Sequence, residues 1–315
     1  MAVLLASVCF GTTGTAQALG PEASSASVGA ARILIGGGAL GLIALVLFFA
    51  GRRRGATGTS AASTPGVVVG SVVGAPRRAL PSWLLVVIGA AGVLAYQPAF
   101  FAGTATNGVA VGTVVALGSA PVITGALDWM LRRRYPGHRW LLATAIATAG
   151  VAILAVAADG AEAGADPLGL AASLGAGASY AVYTLAAKAL LDRGWTPTAS
   201  MGALFGVAAV ASVPVLAATD ASWLATGSGL AMALWLGLVA TTLAYVLFGI
   251  GLRGLAPATV STLTLAEPLT AGILGVAVLG ETLSPGGVVG LAVLAAGIVV
   301  LATSGMRRSL RPVAV

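Results

Sequence analysis

The sequence of 315 residues contains one cysteine, Cys9, and one histidine, His138. A single cysteine excludes an intrachain disulfide, and the two residues together cannot furnish an ordinary zinc site, so no metal and no cofactor is expected. No convergent set of nucleophile and base is present either, and no catalytic residue or enzymatic activity is assigned. Charge is scarce, at 8% of residues, against roughly 25% in soluble domains. The net charge of +7 sits in short basic clusters between apolar runs, and aromatic residues amount to only 6%. Nucleic acid is therefore not an expected partner. Glycine-rich strings such as Gly36-Gly37-Gly38 follow no strand pattern and lie in apolar runs. They read as close-packing positions rather than phosphate loops, and without an ATP-binding motif no ATP-driven chemistry is expected.

What the chain has instead is hydrocarbon, with 58% hydrophobic residues and a mean hydropathy of +1.01. A spanning helix needs about 20 apolar residues, and breaks in the apolar pattern give ten segments. They run Ala2–Leu19, Ser27–Phe49, Ser82–Ala105, Gly108–Leu131, Trp140–Ala158, Pro167–Leu190, Ala199–Ala217, Ser228–Leu252, Pro257–Gly280 and Pro285–Ser304. The first has Ala16-Gln17-Ala18 near its end but no Lys or Arg before it, which favours a retained helix over a signal peptide. Residues 50–81, rich in Gly, Ser, Thr, Pro and Arg, read as a mobile loop.

Of 16 basic residues, all but Arg32 fall after the even-numbered segments, whereas the odd-numbered connections carry Glu22, then Asp159, Glu162 and Asp166, then Asp220 and Glu281. By the positive-inside rule both termini are expected in the cytoplasm. Lys188 with Asp192, and Asp128 with Arg132, are four apart at segment ends and are expected to pair on the surface.

The ninth segment carries Glu267-Pro268 at its centre. A carboxylate at that depth costs roughly 2.5 to 3.5 kcal/mol on insertion scales and marks a bundle interior or a wet pathway. Pro268 cannot donate to the carbonyl of Thr264, which is expected to be left bare. Superposing Pro121 on Pro268 aligns SAPVITGALDWML with AEPLTAGILGVAV and Gly150–Ala155 with Gly297–Ala302. Two halves of five crossings each must insert with opposite orientation, an inverted-topology repeat with Pro121 and Pro268 as paired interruptions.

At this point the chain resembles the drug/metabolite transporter superfamily, in particular ten-helix transporters with two EamA-type domains. The resemblance is carried by Ala266–Ala302, with Glu267-Pro268, Gly280-Glu281 and Gly297, by Phe10-Gly11 and by Ala31-Arg32. Ala120 and Arg132 to Arg134 depart from the pattern in the first half. The fold expected is an all-α membrane protein of ten transmembrane helices in two inverted five-helix repeats, residues 1–158 and 167–305, with a short basic tail at 306–315. The resemblance implies export of small metabolites, such as amino acids or related compounds, across the plasma membrane.

Several side chains are candidates for the pathway. Glu267 suits a group that binds a proton in one state and a cation in another, or it is held structurally at the bend. Thr264 and Thr270 share its face and either contact substrate or satisfy the carboxyl. Arg32 either snorkels to the outer interface or turns inward, where it would pair with Glu267 or take a substrate carboxylate. Phe10, Thr13 and Gln17 share a face of the first helix. Tyr96, Gln97, Tyr180, Tyr183, Tyr245 and Trp235 are candidates to line a route. The reading is a secondary transporter with alternating access, in the plasma membrane of a bacterium. Its expected partners are a small-molecule substrate, protons taken up through Glu267, the lipid bilayer and a second copy of the chain. An uncoupled facilitator or exchanger, and a non-transporting scaffold, are the alternatives.

Overall fold

The structure is a computed structural model that describes residues 1–56, 80–133, 135–159 and 166–309. Most of the connection 50–81, Arg134, Glu162 and the end of the basic tail lie outside the described residues.

The described residues form helices joined by short turns. α1 is Ala2–Ala18 and α2 is Ser25–Ala56. α3 (Ser82–Gly108) and α4 (Val111–Arg132) follow almost without a connection. The chain reverses at Gly108, whose φ of 78° and ψ of 160° are open to glycine and strained for other residues. α5 is His138–Asp159, α6 is Pro167–Leu191 and α7 is Pro197–Ala217. α8 (Gly227–Gly254) and α9 (Pro257–Leu279) come next, and α10 is Pro285–Ser309. Prolines open α6, α7, α9 and α10, where the missing N–H has no intrahelical partner to lose. Asp166 caps α6 through Leu168 N at 2.7 Å, and Thr196 caps α7 through Ala199 N at 3.1 Å.

Among the described residues, 9 helices are long and apolar enough to cross a membrane, and α1, with 17 residues, is a shorter apolar helix. Apolar side chains point outward over much of the bundle, including Leu45, Val46, Leu47 and Phe49 on α2. In water such a surface would be untenable, whereas in a bilayer it is the solvated face.

Packing follows the small residues. α2 runs along α7, α5 along α10, α6 against both α3 and α4, and α1 against α8 and α9. A Cβ on Gly37 would run into the carbonyl of Phe205, so α2 and α7 are in backbone contact there. The apolar core gathers Phe10, Tyr183, Leu204, Phe205, Phe248 and Val260 from α1, α6, α7, α8 and α9.

The two ion pairs expected from the sequence form, Asp128 with Arg132 at 2.7 Å and Lys188 with Asp192 at 3.4 Å, but one member of each is buried. Lys188 is buried and donates to the carbonyls of Leu252 at 2.9 Å and Arg253 at 3.2 Å. Asp128 is buried as well, under Arg132. A helix C-terminus leaves carbonyls without partners, and an ammonium held there satisfies them and its own burial together.

Candidate functional site

Glu267 sits near the middle of α9, where the helix changes pitch. Residues Pro257–Leu263 are α-helical, Thr264–Ala266 form a 3₁₀ turn, and α-helix resumes at Glu267. The tighter turn sends the N–H of Glu267 to the carbonyl of Thr264. That corrects the expected bare carbonyl, because an i→i+3 bond supplies the donor that Pro268 lacks. One residue earlier the carbonyl of Leu263 accepts from Ser7 of α1 at 3.2 Å. The expected partner interruption does not occur: α4 keeps helical dihedrals through Pro121, and Gly108 is the only departure along α3 and α4. The two prolines therefore differ in effect, and the pitch change belongs to α9 alone.

The Glu267 side chain is half-buried, and no hydrogen bond or ion pair joins its carboxyl to another described residue. Thr264 does not serve it. Its hydroxyl donates to the carbonyl of Ser261 at 2.8 Å and accepts from Tyr180 at 3.0 Å. Thr270 packs against Gly11 of α1, beside the backbone of Glu267.

Arg32 turns inward. Its Nε donates to Thr241 Oγ1 at 2.9 Å and its Nη2 to the carbonyl of Ala240 at 3.0 Å, both on α8. This excludes the snorkelling alternative, and the cause is the backbone of α8. Residues Trp235–Leu243 are π-helical, and at the end of that stretch the N–H of Ala244 reaches the carbonyls of Val239 and Thr241. It passes over Ala240, whose oxygen takes the guanidinium. Thr241 and Thr242 bond back to Leu236 and Gly237 at 2.8 and 3.0 Å, five residues earlier, and Thr242 also reaches the carbonyl of Gly36 on α2 at 3.0 Å. A π segment loosens the helical ladder, and such segments recur at functional sites.

Around the guanidinium lies a cavity of about 40 Å³, lined in part by Tyr96, Gln97, Tyr183, Phe205 and Tyr245. The hydroxyls of Tyr183 and Tyr245 are 3.3 Å apart, and the Tyr245 ring lies tilted between Phe10 at 5.0 Å and Phe205 at 4.0 Å between centroids. Tyr96 stacks on Phe100. Arg32 lines this cavity together with Tyr96 and Tyr245. No ion pair joins Arg32 to Glu267 among the described residues.

The structure thus brings Arg32, Tyr96, Tyr245, Glu267 and Phe10 into one neighbourhood at the middle of the bundle, with Tyr180 joined to it through Thr264. Thr13 and Gln17 stand apart: the Thr13 hydroxyl is buried without a hydrogen-bond partner, and Gln17 is exposed toward the far end of α1. Sequence reasoning missed Ala240 and Thr241, whereas Gln97 was among the expected route-lining residues and does line the cavity. It also missed a bridge from α5 to α9, in which Trp140 Nε1 donates to the carbonyl of Ala258 at 2.8 Å and Thr262 Oγ1 at 3.0 Å, with Thr144 at 2.8 Å from Thr262. The adjacent hydroxyls of Thr241 and Thr242 in an apolar run were the one available signal for the first group. Chemically, a guanidinium uses two of about five donors here, leaving others for an anionic group. A carboxyl without a partner among the described residues can chemically take a proton or a cation.

Residues 167–303 match the EamA-like transporter family. The chain is 38% identical over 303 residues to the Uncharacterized transporter YwfM of Bacillus subtilis, covering 96% of this chain and 93% of that one. The Threonine/homoserine exporter RhtA of Escherichia coli K12 is 34% identical over 148 residues, 46% of this chain and 47% of the exporter. A solved crystal structure superposes with a TM-score of 0.72 over 98% of both chains at 20% identity, a likeness of fold.

Proposed function

The chain belongs to the EamA-like transporter family, and from that premise we propose that this multi-pass membrane transporter exports a small zwitterionic metabolite of the amino-acid class. The observation that carries the reading is an inward arginine on α2 and, on α9, a half-buried carboxyl without a partner among the described residues. A substrate carboxylate would meet Arg32 and an ammonium would meet Glu267, with the tyrosines packing the aliphatic part. The threonine and homoserine exported by the relative RhtA are zwitterions of this kind.

We read transport as alternating access between two inverted halves, residues 1–158 and 167–305, in the plasma membrane, with both termini in the cytoplasm. Supporting this, the packing partners exchange in a regular way. α2 packs on α7 and α5 on α10, while α1 on α8 corresponds to α6 on α3, and α1 on α9 to α6 on α4. A two-fold axis in the membrane plane would generate those pairs. In this reading Glu267 is the coupling group, releasing its proton as it takes the substrate ammonium.

Flux of radiolabelled L-threonine in proteoliposomes, followed across pH for wild type and Glu267→Gln, tests the coupling. The proposal expects the substitution to abolish proton-driven accumulation. Undiminished and equally pH-dependent transport by the variant would remove Glu267 from the mechanism.

A further inference from the structure

At the end of the bundle where α4, α6 and α8 finish, four charged side chains form a chain across the two halves. Arg132 of α4 lies 2.7 Å from Asp128 Oδ1 on its own helix and 2.7 Å from Asp192 Oδ2 beyond the end of α6. Asp192 in turn lies 3.4 Å from Lys188, which is bound to the terminal carbonyls of α8. Asp128 is 5% exposed, and although Nε of Arg132 is close, its Oδ1 receives no well-directed hydrogen bond. Beside the chain is a cavity of about 690 Å³, lined by Asp128, Arg132, Lys188, Leu255, Pro257 and Thr259 among others.

We propose that this cavity is the vestibule of the transport path at this end, and that the Arg132–Asp192 pair is the latch that closes it. The inference rests on alternating access between the halves. Arg132 belongs to the first half, whereas Asp192, Lys188 and the end of α8 belong to the second. The vestibule lies between the latch and the start of α9, the helix that carries Glu267 farther along. A lone exposed ion pair would hold little, but here one guanidinium is shared by two carboxylates and one carboxylate by two cations. Opening at this end separates Arg132 from Asp192 and leaves each with a partner on its own side, Asp128 and Lys188, so neither charge is stranded. The opposite end has its own pocket of about 500 Å³, lined by Thr12, Ser228, Met232 and Trp235 among others. Alternating access requires the two ends to respond oppositely.

The test places a single reporter cysteine at each end, Thr259→Cys or Ser228→Cys, on a Cys9→Ala background. Labelling by a hydrophilic maleimide is followed in nanodiscs, where both ends meet solvent. Asp192→Asn is expected to speed labelling at residue 259 by about tenfold and to slow it at residue 228, while Asp192→Glu keeps both rates near those of the parent. Arg132→Gln frees the same pair from the other side and must give the same opposed shifts. Unchanged rates, or acceleration at both ends as in a loosened fold, would overturn the latch. Because labelling needs no substrate, a latch that fails while parent vesicles carry flux leaves the carrier reading intact, and opposed shifts without flux sink the carrier reading alone.

Discussion

At the scale of the residue, Arg32 shows how a backbone irregularity decides what a side chain does. Position alone allows the guanidinium to reach the outer interface or the bundle centre. The carbonyl passed over at Ala240 and the hydroxyl of Thr241 settle it, because an acceptor buried without a donor costs about 1 to 3 kcal/mol. A lysine carries the charge but lacks the fork that meets both acceptors. Arg32→Lys is accordingly expected to lower stability by about 1.5 to 3 kcal/mol and to reduce flux, as measured by the unfolding midpoint in detergent and by proteoliposome transport. Unchanged values in both would mean that the fork is dispensable. The placement of Glu267 at mid-helix was legible in the sequence because hydropathy fixes depth. The direction of Arg32 was not, since it depends on a helix 209 positions away. Lys188 was misread for the same reason: its partners are carbonyls of α8, and carbonyls leave no mark in a sequence.

At the scale of the element, all ten apolar segments reappear as helices with ends displaced by a few residues. Segment lengths are dictated by the bilayer, which is why they were readable. Departures from regular helix were not. Pro121 and Pro268 look alike on paper, yet only the second is preceded by a 3₁₀ turn. The π stretch of α8 contains no proline at all. The run Gly36-Gly37-Gly38 offers an internal comparison of what contact, as opposed to composition, contributes. A methyl on Gly37 collides with the backbone of α7, whereas one on Gly38 meets nothing within 4 Å. Gly37→Ala should destabilise by about 1 to 3 kcal/mol through overpacking. Gly38→Ala should be neutral or stabilising by up to about 1 kcal/mol, since alanine favours helix. Thermal unfolding of the two variants side by side checks this, and equal effects would mean that α2 and α7 are not in backbone contact.

At the scale of the whole molecule, much of the packing of the first five helices is against the last five. α1 and α2 bury their faces on α8, α9 and α7, and α5 lies on α10. Membrane insertion of each helix is local, but the packing that follows is shared between the halves. Residues 1–158 and 167–315 expressed as separate chains are each expected to be unstable alone, and to copurify as a one-to-one complex when made together. Recovery of a monodisperse first half by itself would contradict the interlocked packing. A division into two halves was an expectation of the sequence. Their interlocking was not, because contacts between α1 and α8 arise from the order in which helices are arranged and not from the apolar pattern of either.

The widened turn of α8 also carries an evolutionary consequence. A π stretch accommodates a residue that in a regular helix would rotate everything beyond it by about 100°. Shortening α8 by one residue at this place would restore the ladder and give Ala240 a donor of its own, leaving a buried guanidinium with one acceptor fewer. On this geometry the π stretch and Arg32 are expected to occur together, and lineages that lose one are expected to lose the other.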